Sequence, residues 1–175
     1  MTLAAKSLLL IAVLGLAACN NPDRYGAGGA GGAGGAGGAG GIDTTGLGDP
    51  NNPTSIAYFN QTVGDRVLFA NDQSTLSPEG RGILTAQANW LNQNAGYAAI
   101  IEGHADEKGT REYNLALGAR RAAAVQNFLI SQGVAANRLR TISYGKERPL
   151  EVCSEEACYA KNRRAVTVLS AGAGA

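Results

Sequence analysis

The chain has 175 residues, with 15 basic and 14 acidic side chains, one His and a formal net charge of +1. So even a balance offers no basic excess for nucleic acid, which excludes that class of partner. An aromatic content of 6% with one Trp suits a single small domain, and nothing in the pattern reads as a β-barrel.

The first 18 residues place Lys6 ahead of an apolar stretch from Leu8 to Leu16, with small residues before Cys19. This is the three-part layout of a secretory signal peptide. The apolar stretch is shorter than the roughly 20 residues a spanning helix needs. Leu16-Ala17-Ala18-Cys19 resembles the bacterial lipobox, whose cysteine is diacylated on sulfur and becomes the mature N-terminus. Acyl chains contribute about 0.8 kcal/mol per buried methylene, so several chains on one residue hold firmly. Asn20, not Asp, follows the cysteine, which under the lipoprotein sorting rule favours the outer membrane. Cleavage removes one Lys and no acid, leaving 14 basic and 14 acidic residues.

From Gly26 to Gly41 the chain repeats Gly-Gly-Ala without the prolines of collagen. Such a stretch cannot build a core and reads as a flexible coil. Residues 19–52 are thus expected to form a tether with a root-mean-square span of roughly 30 Å.

A folded domain is expected over residues 53–170, with 171–175 as a fraying tail. Arg66 to Ala70 reads as a short strand. Ser77-Pro78-Glu79 has the marks of a helix start: a capping hydroxyl, a proline at the first helical position and an acid at the positive end of the dipole. Ile83, Leu84, Trp90 and Leu91 then give an apolar stripe to about Asn94, with Trp90 in the core. Tyr97 to Gly103 reads as a second strand. A second helix is expected from about Thr110 to Gln132, turning Leu115, Ala122, Val125 and Leu129 to the core and stopping at Gly133. Leu139 to Tyr144 and Arg164 to Leu169 read as further strands, with a turn or short helix around Glu155 to Lys161. The order predicts an α+β fold: a two-layer sandwich with helices on one face of a mixed four-stranded sheet.

Cys153 and Cys158 stand five apart in a stretch rich in acids. In an oxidising compartment they are expected to close a local disulfide that fixes a surface loop, outside any groove. Zinc is the rival reading, but it needs two further ligands and the chain has one His.

The run Ile101 to Ala122, IEGHADEKGTREYNLALGARRA, carries the chemistry. Thr110, Asn114, Leu117 and Arg121 share one helical face over roughly 16 Å of axis, and Asp106 stands where the chain enters it. An acid, small polar groups and an arginine suit a ligand bearing both an ammonium and a carboxylate. Periodicity alone leaves a solvated polar face equally open. Glu102, His104 and Asp106 alternate along a strand, a spacing that also admits a metal; His104 is expected instead to support the loop by hydrogen bonds. No nucleophile stands at telling distance from a base, so an enzyme is not expected.

These residues closely resemble the signature of OmpA-type peptidoglycan-binding domains, and the likeness runs from about Val67 to Leu169. With the lipobox and glycine tether, the lipid-anchored branch of that family, the peptidoglycan-associated lipoproteins of Gram-negative bacteria, is the specific match. The resemblance implies that Asp106 (in GHAD) and Arg121 (in GARRA) grip diaminopimelate of the peptidoglycan stem peptide. A carboxylate would hold the ammonium and a planar guanidinium would fork onto the carboxylate. It adds Thr110, Asn114, Leu117 and Asp72 as further binding positions. Asn71 stands where many relatives carry an aromatic side chain, a departure that leaves the Asp/Arg pair untouched. Asn162-Arg163-Arg164 also matches, without showing which arginine faces the groove. The implied partners are peptidoglycan, the periplasmic β-propeller protein of the Tol system and, through lipid, the outer membrane, with the domain facing the periplasm and a role in division; no cofactor or metal is implied. The alternatives are an OmpA-type lipoprotein outside the Tol system and a lipoprotein cell-wall hydrolase.

Overall fold

A computed structural model describes residues 47–171. The expected signal peptide, Cys19, the glycine repeat and the last four residues lie outside the described residues.

Helix α1 (Ile56–Tyr58) runs into a π-helical turn (Phe59–Gly64), followed by β1 (Arg66–Leu68), α2 (Pro78–Gln93), β2 (Tyr97–His104), α3 (Arg111–Ser131), a 3-10 turn (Ala136–Arg138), β3 (Leu139–Gly145), α4 (Glu156–Asn162) and β4 (Arg164–Ala171). The sheet order is β1-β4-β2-β3. β2 and β3 are parallel, with Ala99 opposite Leu139, and α3 makes the crossover between them. β4 enters between β1 and β2, antiparallel to both.

Local chemistry sets the helix bounds. Ser77 Oγ accepts from the Gly80 N–H at 3.0 Å, with Pro78 at the first helical position. Thr110 caps α3 by accepting from Tyr113 N–H at 3.2 Å. Gly133, at φ +91°, takes the left-handed conformation that ends α3.

β2 alternates as a half-buried strand should, with Tyr97, Ala99, Ile101 and Gly103 turned to the helices. They meet Leu84, Ala88, Trp90 and Leu91 of α2 and Ala122, Val125 and Leu129 of α3 in one core. The opposite sheet face is left open, with Ile100, Ile142 and Val168 each about two-fifths exposed. The rings of Phe59 and Tyr97 flank Trp90 at 5.0 and 5.1 Å. Trp90 Nε1 donates to the Pro53 carbonyl at 2.7 Å and Tyr97 OH to that of Thr54 at 2.8 Å, so the incoming chain is fastened to the core. Residues 47–52, read as the end of the tether, also lie against the domain: Ala57 N–H donates to Leu47 O, and Ser55 Oγ to Asp49 O.

One helix face differs from expectation. α3 buries Asn114, Leu117, Gly118, Arg121, Ala122, Val125 and Leu129, whereas Leu115 is half exposed. The cause is the seating of the helix. Gly118 lies against Gly103 so closely that a Cβ on Gly103 would stand 1.8 Å from the Gly118 carbonyl oxygen. That contact seats α3 on the sheet by the face that carries Gly118, and Leu115 falls at the edge of that face. The polar face of the sequence reading is therefore the upper half of the core-facing stripe.

Candidate functional site

The loop after β1, the loop after β2 and the first turns of α3 enclose a cavity of about 280 Å³, lined by Asn71, Asp72, Asp106, Lys108, Gly109, Tyr113, Asn114 and Leu117. Four of the six expected binding residues line it: Asp72, Asp106, Asn114 and Leu117. Thr110 and Arg121 do not. Thr110 caps the helix below the opening, and Arg121 lies behind the wall.

Two backbone features shape the rim. Gly109 sits at φ +90° and Asp72 at φ +56°, a left-handed turn that Asp tolerates. Tyr113 OH donates to Asp72 Oδ1, joining α3 to the β1 loop across the cavity. That bond to the carboxylate holds the phenol above its ordinary pKa. Asn114, almost fully buried, donates through Nδ2 to Lys108 O at 2.7 Å and fixes the β2 loop on the helix.

Asp106 is the buried anion of the site, 6% exposed. Its Oδ1 accepts from the Lys108 N–H at 3.3 Å and its Oδ2 from Arg163 Nη1 at 3.2 Å. Arg121, expected to meet a ligand directly, does not line the cavity. It is fully buried and donates to three carbonyls: Gln73 at 2.8 Å, His104 at 2.7 Å and Ala70 at 3.2 Å. Burial pushes its pKa down to about 10, against the opposing pull of Asp106, so it stays charged at neutral pH. Arg121 thus clamps the β1 loop to the end of β2, directly beneath the residues that line the cavity.

Arg163 is the functional group that sequence left unassigned. Besides Asp106 it donates to Glu156 Oε1 at 2.6 Å and to Phe69 O at 3.3 Å. Burial opposes its charge, but the bonds to Glu156 and Asp106 outweigh it and raise its pKa. Arg164 turns away and donates to Asn162 O and Arg148 O.

His104 makes no loop-supporting side-chain bond: neither ring nitrogen has a hydrogen-bond partner among the described residues. The alternation of the strand puts the ring on the open sheet face, against Tyr144 at 5.6 Å. Burial, then Arg164 and Arg148, lower its pKa to about 4. The 3.6 Å approach to Glu102 is therefore no ion pair at neutral pH. His104 supports the loop through its carbonyl, which Arg121 holds. Asp106 lies past the strand end and does not join the other two on their face.

Cys153 and Cys158 form a disulfide, with Cα atoms 6.0 Å apart. The loop it closes is not remote from the cavity, as expected from sequence. Glu156, inside the closed loop, contacts both Arg163 and Lys108.

Residues 68–163 match the OmpA family model. A protein of Mesorhizobium japonicum described as "Peptidoglycan-associated lipoprotein" is 58% identical over 122 residues, 70% of this chain and 72% of its own. One of the same description from Haemophilus influenzae is 39% identical over 162 residues, 92% of this chain and 95% of its own. Among solved structures, the peptidoglycan-associated lipoprotein of Burkholderia pseudomallei is similar with a TM-score of 0.62 and 36% identity, covering 70% of this chain and all of the other.

Proposed function

The chain belongs to the OmpA family, and on that premise we propose that its folded domain binds peptidoglycan through diaminopimelate of the stem peptide. The observation that carries this reading is Asp106: a buried carboxylate at a 280 Å³ cavity, with cationic side chains on the far side of the wall. An ammonium inserted there gains a charge-assisted bond in a setting that excludes most water. The carboxylate end of the ligand is assigned to Arg121, which spends three of its five N–H groups on carbonyls among the described residues. Asp72, Thr110, Asn114 and Leu117 shape the opening, the first through Tyr113 and the second by capping α3.

Residues 1–18 act as a signal peptide, Cys19 carries lipid, and the chain from residue 19 up to the segment 47–52 seated on the domain spans from the outer membrane to the wall. The domain then ties the two layers together without a covalent bond, in concert with the Tol β-propeller protein during division. Catalysis forms no part of this reading. Sedimentation with purified peptidoglycan tests the wall contact: residues 53–175 should pellet, and the Tol propeller should compete. A domain that stays in the supernatant removes the wall assignment, and simultaneous binding of both partners removes the shared surface. For the anchor, Cys19→Ser should no longer incorporate labelled fatty acid; a variant that still labels would place the lipid elsewhere.

A further inference from the structure

α4 is a seven-residue helix whose N-cap, Glu155, makes no side-chain capping bond. So short a helix has little stability of its own. The disulfide supplies what the cap does not, joining Cys153 ahead of the helix to Cys158 in its first turn. Glu156 is the first residue of that turn, and its two oxygens are divided. Oε1 accepts from Arg163 at 2.6 Å, and Oε2 meets Lys108 Nζ at 3.5 Å. Tyr159, one turn on, lies under the same ammonium at 4.4 Å from the ring centroid. Both cations belong to the surroundings of the cavity: Lys108 lines it and Arg163 bonds its buried acid.

We propose that Glu156, held by the Cys153–Cys158 disulfide, is a positioning residue that keeps the Asp106 carboxylate open to an ammonium. This rests on the reading of the cavity as the diaminopimelate site. Arg163 lies between two carboxylates. With Glu156 drawing one terminal nitrogen, only the other reaches Asp106, and the guanidinium takes only Oδ2, while Oδ1 has a single long bond from the Lys108 N–H. Without Glu156 the planar guanidinium is free to fork onto Asp106 with both nitrogens, which is the favoured geometry for this pair. Lys108, also released, then stands as an unpaired cation at the opening. Both changes oppose an incoming ammonium. The bond to Arg163 holds the Glu156 carboxyl below its ordinary pKa, as a residue committed to its partner should be.

Asn162 separately clamps the base of the loop, accepting from Leu150 and Glu151 N–H and donating to Glu151 O. Opening the disulfide therefore loosens the segment between Glu151 and Asn162 and leaves the sheet intact.

The test is a titration of a diaminopimelate stem peptide against residues 53–175 and its variants. Glu156→Gln should weaken binding roughly three- to tenfold, Cys153→Ser/Cys158→Ser by a similar factor, and their combination no more than either alone, because both act through one contact. Glu156→Asp should recover part of the loss. A peptide with its side-chain ammonium acetylated should bind native and Glu156→Gln domains alike, a result that general loosening of the fold would not give. Native-like binding by Glu156→Gln, additive losses, or an equal loss with the acetylated peptide would each overturn the positioning role. Asp106→Asn run in parallel separates the two levels. If it loses binding while Glu156→Gln does not, the site stands and the positioning role falls; if it binds as the native domain does, the site reading falls and the positioning role with it.

Discussion

Replacing Asp106 by Ala should weaken binding of a diaminopimelate stem peptide by about ten- to hundredfold, the equivalent of roughly 1.5 to 3 kcal/mol for a bond to a charged group. The carboxylate is 6% exposed and has Arg163 Nη1 at 3.2 Å, so its loss removes the buried acid of the wall and leaves a buried guanidinium with one partner fewer. A stem peptide with lysine in place of diaminopimelate gives the matching control. It keeps the ammonium and lacks the side-chain carboxylate, so the native domain should bind it poorly. Isothermal titration of both peptides reads the two ends of the ligand separately. Equal affinity of the native domain for the two would end the carboxylate role assigned to Arg121, while leaving that of Asp106 in place.

Arg121→Ala should be the most damaging substitution in the domain, at about 3 to 5 kcal/mol of folding stability. Three carbonyls, of Ala70, Gln73 and His104, lose their donor at once, and the bond to His104 is buried, where an unpaired acceptor is costly. The side chain is also fully buried and sits over the Phe69 ring at 5.2 Å, so its removal opens a cavity. Arg121→Lys should recover only part, because a point charge cannot reach carbonyls on two separate segments as a planar fork does. Urea unfolding followed by Trp90 fluorescence measures both. An Arg121→Ala domain as stable as the native one would show that the clamp contributes nothing and that Arg121 serves the ligand alone. A stable Arg121→Lys domain that has lost binding would assign both roles to the same guanidinium.

Much of the fold was written in local signals. The Ser77-Pro78-Glu79 start, the alternation of Tyr97 to Gly103 and the stop at Gly133 each act within a few residues, and the elements stand where those signals put them. The turn of α1 has a capping hydroxyl, Ser55, that the sequence reading passed over, and the π-helical Phe59–Gly64 carried no comparable mark. Their order comes from Trp90 and Tyr97, some 40 residues on, through bonds to Pro53 and Thr54. The same divide runs through the site. Asp106, Asn114 and Leu117 share a helix face and its entry, so counting residues grouped them, and the family resemblance singled them out. Counting could not show that the face is buried, because that depends on Gly118 resting on Gly103. Nor could it choose between Arg163 and Arg164, adjacent residues that part at the junction of α4 and β4, one toward Asp106 and the other toward Arg148. Lys108 and Tyr113 were passed over because the partners that give them a part, Glu156 and Asp72, are more than 40 residues away.

The placement of β2 bears on how the domain withstands force. Under the proposed function it is pulled from both ends, by the membrane through the tether and by the wall through the ligand. The chain comes in over residues 47–52 to Pro53 and Thr54, and Thr54 is fastened to Tyr97, the first residue of β2. The other end of the strand, His104, leads within two residues to Asp106. Tension between the two layers thus follows the axis of a strand paired on both edges, to β4 and to β3. Antiparallel ladder bonds lie across the strand direction, so a pull along it shears the whole set together, where a pull at an edge would peel them apart one by one.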